Sequence, residues 1–121
     1  SLNDMKEKGV TEAISFGPAL VVNGKGTIKS GDGGWGIAPR TAIGQRSDGA
    51  MIFLVIDGRQ TKSIGASLRD IQNIMIKYGA INATNLDGGS SSTMYYKGNV
   101  INNPCNRDGE RTVATAFYVE P

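Results

Sequence analysis

Met51-Ile52-Phe53-Leu54-Val55-Ile56-Asp57-Gly58-Arg59 is the stretch whose reading decides the fold. Six apolar residues follow one another without polar alternation, which predicts a strand buried on both faces at the centre of a sheet. The run stops abruptly at Asp-Gly-Arg. A carboxylate and a guanidinium at the end of a buried strand need partners or must face a cleft.

Working outward on the N-terminal side, Pro39-Arg40-Thr41-Ala42-Ile43-Gly44-Gln45 is a β-compatible run, and Ser47-Asp48-Gly49 is a turn. Residues 40–46 and 50–56 therefore read as a hairpin. On the C-terminal side, residues 67–78 read as the one principal helix. Ser67-Leu68-Arg69-Asp70 matches a capping box with Asp in the usual Glu position. Leu68, Ile71, Ile74, Met75 and Tyr78 recur at helical spacing on one face, and Gly79 is a stop signal. Residues 83–86 then form a strand that delivers Asp87. A strand–helix–strand connection tends to bring its two strands close and parallel. Asp57 and Asp87, each followed by Gly, are thus expected at the same ends of neighbouring strands.

Asn85-Leu86-Asp87-Gly88-Gly89-Ser90-Ser91-Ser92-Thr93 is poor core material. Its glycines and hydroxyls suit a turn that brings backbone N–H groups and side-chain oxygens up to a polar ligand. The flanks read more simply. Residues 2–8 suggest a short helix and 12–16 a strand. Residues 19–22 lead into Asn23-Gly24, a strong hairpin signal, with Thr27-Ile28 as the return. Residues 30–36 form a glycine-rich loop around Trp35, either a linker or a lid offering an aromatic platform to a sugar ring. Residues 94–97 and 100–101 flank Gly98-Asn99 as a second hairpin, 102–109 are a polar loop, and 112–119 read as a last strand.

Composition narrows the chemistry. The 121 residues fit a single domain, and the 17 glycines follow no periodic repeat. The net charge of +2 carries no Lys/Arg run, so nucleic acid is not an expected partner. No apolar stretch approaches the roughly 18 residues of a membrane span, and no signal peptide is visible. Cys105 is alone, so it has no internal disulfide partner, and it reads as a spectator. There is no histidine. Acid–base work therefore falls to carboxylates, Lys, Tyr or Cys, and His-based triads and the usual zinc sites are excluded. No metal-ligand set is read and no cofactor is required, with a divalent cation left open.

Arg40, Arg59 and Arg111, with the Gly-Gly-Ser-Ser turn, suit a phosphate cradle, because guanidinium forks and glycine-exposed N–H groups match phosphate oxygens. The turn lacks the Lys of a Walker A loop and the carboxylate spacing of an EF-hand. Two aspartates beside such a cradle suit glycosidic cleavage. A non-catalytic carbohydrate- or polyanion-binding module of the cell envelope, or a purely structural envelope domain, fits the same residues.

Phe16-Gly17-Pro18-Ala19-Leu20, Pro39-Arg40-Thr41-Ala42-Ile43-Gly44, Asp57-Gly58-Arg59 and Asn85-Leu86-Asp87-Gly88-Gly89-Ser90-Ser91 occur in one order, followed by Glu110-Arg111. Together they resemble the phosphodiester glycosidase family over about residues 14–120. The resemblance implies hydrolysis between a sugar's anomeric carbon and a phosphodiester oxygen. It points to Asp87 and Asp57 as catalytic carboxylates. It points to Arg40, Thr41, Arg59, Asn85, Gly88, Gly89, Ser90, Ser91 and Arg111 as substrate-binding. It also implies a glycan or sugar phosphodiester as substrate and an extracytoplasmic location, secreted or in the envelope. Family members carry an upstream Asn-Gly-Gly-Phe/Tyr-Phe type motif that these residues lack. The chain is therefore expected to be the C-terminal part of a larger domain, its partner either the N-terminal segment of that domain or another copy of the chain. The expected fold is α+β, a mixed, mostly antiparallel sheet with one helix packed on it.

Overall fold

A computed structural model of the chain describes residues 1–120. Its elements are α1 (Leu2–Glu7), β1 (Ala19–Val22), β2 (Lys25–Gly26), β3 (Arg40–Arg46), β4 (Met51–Ile56), α2 (Leu68–Lys77), β5 (Ala80–Leu86), a 3-10 turn (Gly89–Ser91), β6 (Tyr95–Tyr96) and β7 (Asn99–Val100). Five strands form one sheet in the order β2-β1-β5-β3-β4, and β6 pairs with β7 separately. The class is α+β, as expected. Every neighbouring pair in the sheet is antiparallel.

The apolar run at 51–56 is not the central strand. Among the described residues β4 pairs only with β3 and forms one edge, while β5 holds the middle. The run is apolar on both sides, yet only one side is covered. Ile52, Leu54 and Ile56 pack against the core, whereas Met51 and Phe53 on the other face are 48% and 40% exposed. The inferred relation between the aspartates holds in modified form. β4 and β5 are each antiparallel to β3 and so run parallel to one another, with β3 between them. Ile56 pairs with Arg40 and Leu86 with Thr41, so both strands exit at the same border of the sheet.

Helix α2 begins as its sequence predicts. The Ser67 hydroxyl accepts the Asp70 N–H, and the Asp70 carboxylate accepts the Ser67 N–H at 2.8 Å. Leu68, Ile71 and Met75 are fully buried against Leu20, Val21, Ala42 and Ala83. Small residues also bring β3 and β5 together: Gly44 pairs with Ala83, and a Cβ on Gly44 would sit 3.1 Å from that of Ala83. Tyr78 is not on the core face. It is the C-cap and is 61% exposed, because the chain reverses at Gly79. Gln72, which breaks the apolar pattern, is buried because its amide pairs with the backbone of Ile28 in both directions.

That pairing explains the first hairpin. Asn23 and Gly24, both at positive φ, turn the chain in two residues. The return strand is then Lys25–Gly26, not Thr27-Ile28, and Ile28 is drawn away to Gln72. The second hairpin turns at Lys97-Gly98, one residue before the expected pair. Residues 12–16 and 112–119, expected as strands, lie outside any strand. Their β-prone composition meets no neighbouring strand edge, and a strand exists only through its ladder. The 30–36 loop lies against the helix start: the Asp32 carbonyl accepts the Arg69 N–H, and Gly33 leaves no room for a Cβ beside Leu68.

Candidate functional site

The site is built around two residues at the entrance to β3. Glycines surround residues 38–39 from three directions. A Cβ on Gly58 would stand 2.7 Å from the Pro39 nitrogen, one on Gly88 2.7 Å from the Pro39 carbonyl oxygen, and one on Gly65 2.5 Å from the Ala38 carbonyl. None of these approaches is compatible with a larger residue. The Pro39 carbonyl also accepts the Gly89 N–H at 2.9 Å. The two Asp-Gly exits are therefore alike for one reason: each glycine lets its turn close on the same proline.

This clamp fixes Arg40. Its side chain is buried, with Nε donating to the Ala66 carbonyl at 2.9 Å and Nη2 to the carbonyls of Gly36 and Trp35. Burial, reinforced by the nearby Arg59 charge and opposed by Asp32, pulls its pKa below the usual arginine value. Arg59 holds positive φ, and its guanidinium lies 3.4 Å from where a Cβ of Gly89 would stand. Arg111 Nη1 donates to the Ser90 hydroxyl. None of these three arginines forms an ion pair among the described residues.

A pocket of about 350 Å³ opens between them. Arg40, Arg59, Arg111, Asn85, Asp87 and the 88–91 turn line it, as do Phe16, Trp35, Ala38 and Leu86. Phe16 and Trp35 meet edge to face, with centroids 6.4 Å apart. Asp87 is exposed, and its carboxylate accepts no hydrogen bond from the described residues. Asn85 is buried. Its Nδ2 donates to the Gly17 carbonyl, and its N–H bonds to that of Pro18. Asn85 thereby holds the chain that carries Phe16. Its Oδ1 is a buried acceptor without a partner among the described residues.

Of the residues expected at the site, the structure gathers nine around this pocket: Arg40, Arg59, Asn85, Asp87, Gly88, Gly89, Ser90, Ser91 and Arg111. Thr41 and Asp57 are not in its lining. Thr41 alternates to the other side of β3 from Arg40 and donates its hydroxyl proton to Ser92 Oγ at 3.0 Å. Asp57 lies at the same border of the sheet, but its carboxylate is turned to the 102–103 segment, accepting from Asn102 Nδ2 and from the Asn103 N–H. Phe16 and Ala38 were flanking residues of recognisable motifs without a role. Asn102 and Asn103 carried no signal, because their partner is 45 residues away in sequence. Among the described residues, no cluster of His, Cys, Asp or Glu could hold a metal ion.

The antiparallel α+β scaffold thus opens an arginine-rimmed pocket beside one exposed carboxylate, an arrangement whose charge suits an anionic ligand. The chain belongs to the phosphodiester glycosidase family, whose model matches residues 1–120. It is 46% identical over 65 residues to the SPbeta prophage-derived uncharacterized protein YomE of Bacillus subtilis, a match covering 54% of this chain and 10% of that protein. It is 37% identical over 68 residues to the human N-acetylglucosamine-1-phosphodiester alpha-N-acetylglucosaminidase, covering 56% of this chain and 13% of that one. Among solved structures, the zebrafish enzyme's catalytic domain, auto-inhibited by its pro-peptide, superposes with a TM-score of 0.61 at 27% identity. That superposition covers 72% of this chain and 33% of the other. A Burkholderia pseudomallei protein described as exported gives 0.60 at 41% identity, covering 62% and 15%. The matched stretch thus spans about a tenth of the length of the curated relatives. No helix of the described residues is long and apolar enough to cross a membrane.

Proposed function

We propose that this pocket belongs to a hydrolase that cleaves the bond between a sugar's anomeric carbon and a phosphodiester oxygen. The observation that carries the reading is Asp87: a carboxylate without a partner among the described residues, on the wall of a pocket with three arginines that form no ion pair among them. Such a pocket attracts an anion and leaves one negative group to face developing positive charge. Arg40, Arg59 and Arg111 hold the phosphodiester with the 88–91 turn, and Phe16 and Trp35 offer an apolar wall to the sugar ring. Asp87 stands at the anomeric carbon, where the transition state resembles an oxocarbenium ion. The C1–O bond breaks and its electron pair leaves with a phosphomonoester. Water supplies the new oxygen at C1 and releases a proton. A phosphomonoester with a second pKa near 6 leaves with little protonation. One carboxylate therefore suffices, and Asp57 contributes by holding structure. The enzyme acts outside the cytoplasm, a reading supported by the relative described as exported.

Asp87→Asn tests this, with release of reducing sugar from a sugar 1-phosphodiester as the readout. The expected loss in kcat/KM is about 1000-fold, or about 4 kcal/mol of transition-state stabilisation. Retention of near-wild-type turnover overturns the assignment. The position of Asp57 outside the pocket favours one other reading, a module that binds sugar phosphates without turnover. Saturable binding with no product from the unaltered protein identifies that case.

A further inference from the structure

We propose that Asn102 is a positioning residue for the pocket's Gly-Ser turn, with Asp57 as its anchor. Asn102 does not line the pocket, and it uses its whole amide. Its Oδ1 accepts the Met94 N–H at 2.7 Å, and its Nδ2 donates to Asp57 Oδ1 at 2.9 Å and to the Ser92 carbonyl at 3.0 Å. One side chain thus joins the end of β4, the end of the 88–92 turn and the entry to the β6–β7 hairpin. Only an amide offers donors and an acceptor on one planar group here; a carboxylate at 102 keeps the acceptor and loses both donors.

The other contacts make Ser92 the fixed end of the turn. Ser92 is buried, its N–H bonds to the Gly89 carbonyl, and its hydroxyl receives the proton of Thr41. At the opposite end, the Gly89 N–H is held by Pro39, and the Arg59 guanidinium lies over Gly89. The turn that presents Gly88, Ser90 and Ser91 to the pocket is therefore stretched between two anchors, Pro39 and the Asn102–Asp57 pair. Asp57 is itself secured from its far side. Its two oxygens accept the Asn103 N–H, its carbonyl accepts the Ser63 hydroxyl proton, and the Gln60 amide exchanges hydrogen bonds with Asn103. In this arrangement the negative charge of Asp57 holds loops together and does not meet substrate. The geometric inference stands on these contacts; its consequence for turnover rests on the glycosidase reading above.

The test compares Asn102→Ala, Asp57→Ala, Asp57→Asn and the double variant Asp57→Ala/Asn102→Ala. Amide hydrogen exchange and inorganic phosphate affinity are measured beside turnover. In Asn102→Ala the Ser92 and Met94 amides should exchange about tenfold faster or more, with β3 and β5 amides unchanged. Phosphate affinity and kcat should each fall about tenfold, the kind of loss that misplacement of a binding group produces. Asp57→Ala should match Asn102→Ala, and the double variant should be no worse than either single one. Asp57→Asn, which keeps an accepting oxygen, should recover most of the loss. If exchange and phosphate affinity are unchanged in folded Asn102→Ala, the proposal is overturned, as it is by additive losses. Equal damage from Asp57→Asn and Asp57→Ala also overturns it, since that marks a reacting carboxylate. Should Asn102→Ala fail to fold, the comparison of the two Asp57 variants decides alone. The exchange and phosphate measurements need no turnover. An unaltered protein that binds phosphate without releasing sugar therefore sinks the glycosidase reading and leaves this inference to be judged on them.

Discussion

Gly88 shows how one hydrogen in place of a methyl group decides the geometry of a site. Replacing it by Ala puts a carbon 2.7 Å from the Pro39 carbonyl oxygen, a backbone atom that has no flexible end to move. Gly88→Ala is expected to cost about 1–3 kcal/mol in urea unfolding, as overpacking does. It should weaken phosphate binding as well, because the turn must shift away from β3. The Asp-Gly pairs at 57–58 and 87–88 were legible in the sequence as matched strand exits. Their shared contact was not, since it joins each pair to a proline that no local pattern connects with them. Asp57 illustrates the same limit. Its residue type and place invited a catalytic role, but what its carboxylate touches depends on a loop 45 positions further on.

At the level of elements, α2 was readable to within a residue at each end because its determinants are local: a capping serine, a reciprocal aspartate, a periodic apolar face and a terminal glycine. Ser67→Ala should cost about 1 kcal/mol, measured by urea denaturation at neutral pH. Hydrogen bonds from the Ser67 side chain and backbone lower the Asp70 pKa from its ordinary 3.8. A carboxyl whose folded pKa is depressed contributes stability that is fully present above its unfolded pKa. That contribution drains away as pH falls through the folded value, so the gap between Ser67→Ala and the unaltered protein should narrow in acid below about pH 4. Strands were less legible. Residues 40–46 and 51–56 pair with each other through a short turn and were found. Residues 112–119 are as β-prone, but nothing in a one-dimensional pattern says whether an edge is available to receive them.

For the molecule as a whole, the sheet is covered by its helix on one face only, and that asymmetry makes the apolar residues unequal. Leu68→Ala on the covered face should cost about 2–5 kcal/mol, whereas Phe53→Thr on the open face should stay within about 1 kcal/mol. Equal losses in thermal or urea unfolding would mean that the second face is packed too. Composition alone could not make this distinction, because Leu68 and Phe53 are both large apolar residues. Arg40 joins three regions behind the pocket: β3, the 35–36 loop and the approach to α2 through Ala66. A lysine there keeps the positive charge but cannot fan out to all those carbonyls at once. The pocket's electrostatics and the architecture behind it are consequently welded at that position. Anyone wishing to retune which anion it prefers has room to work at Arg59 and Arg111, which are exposed, and almost none at Arg40.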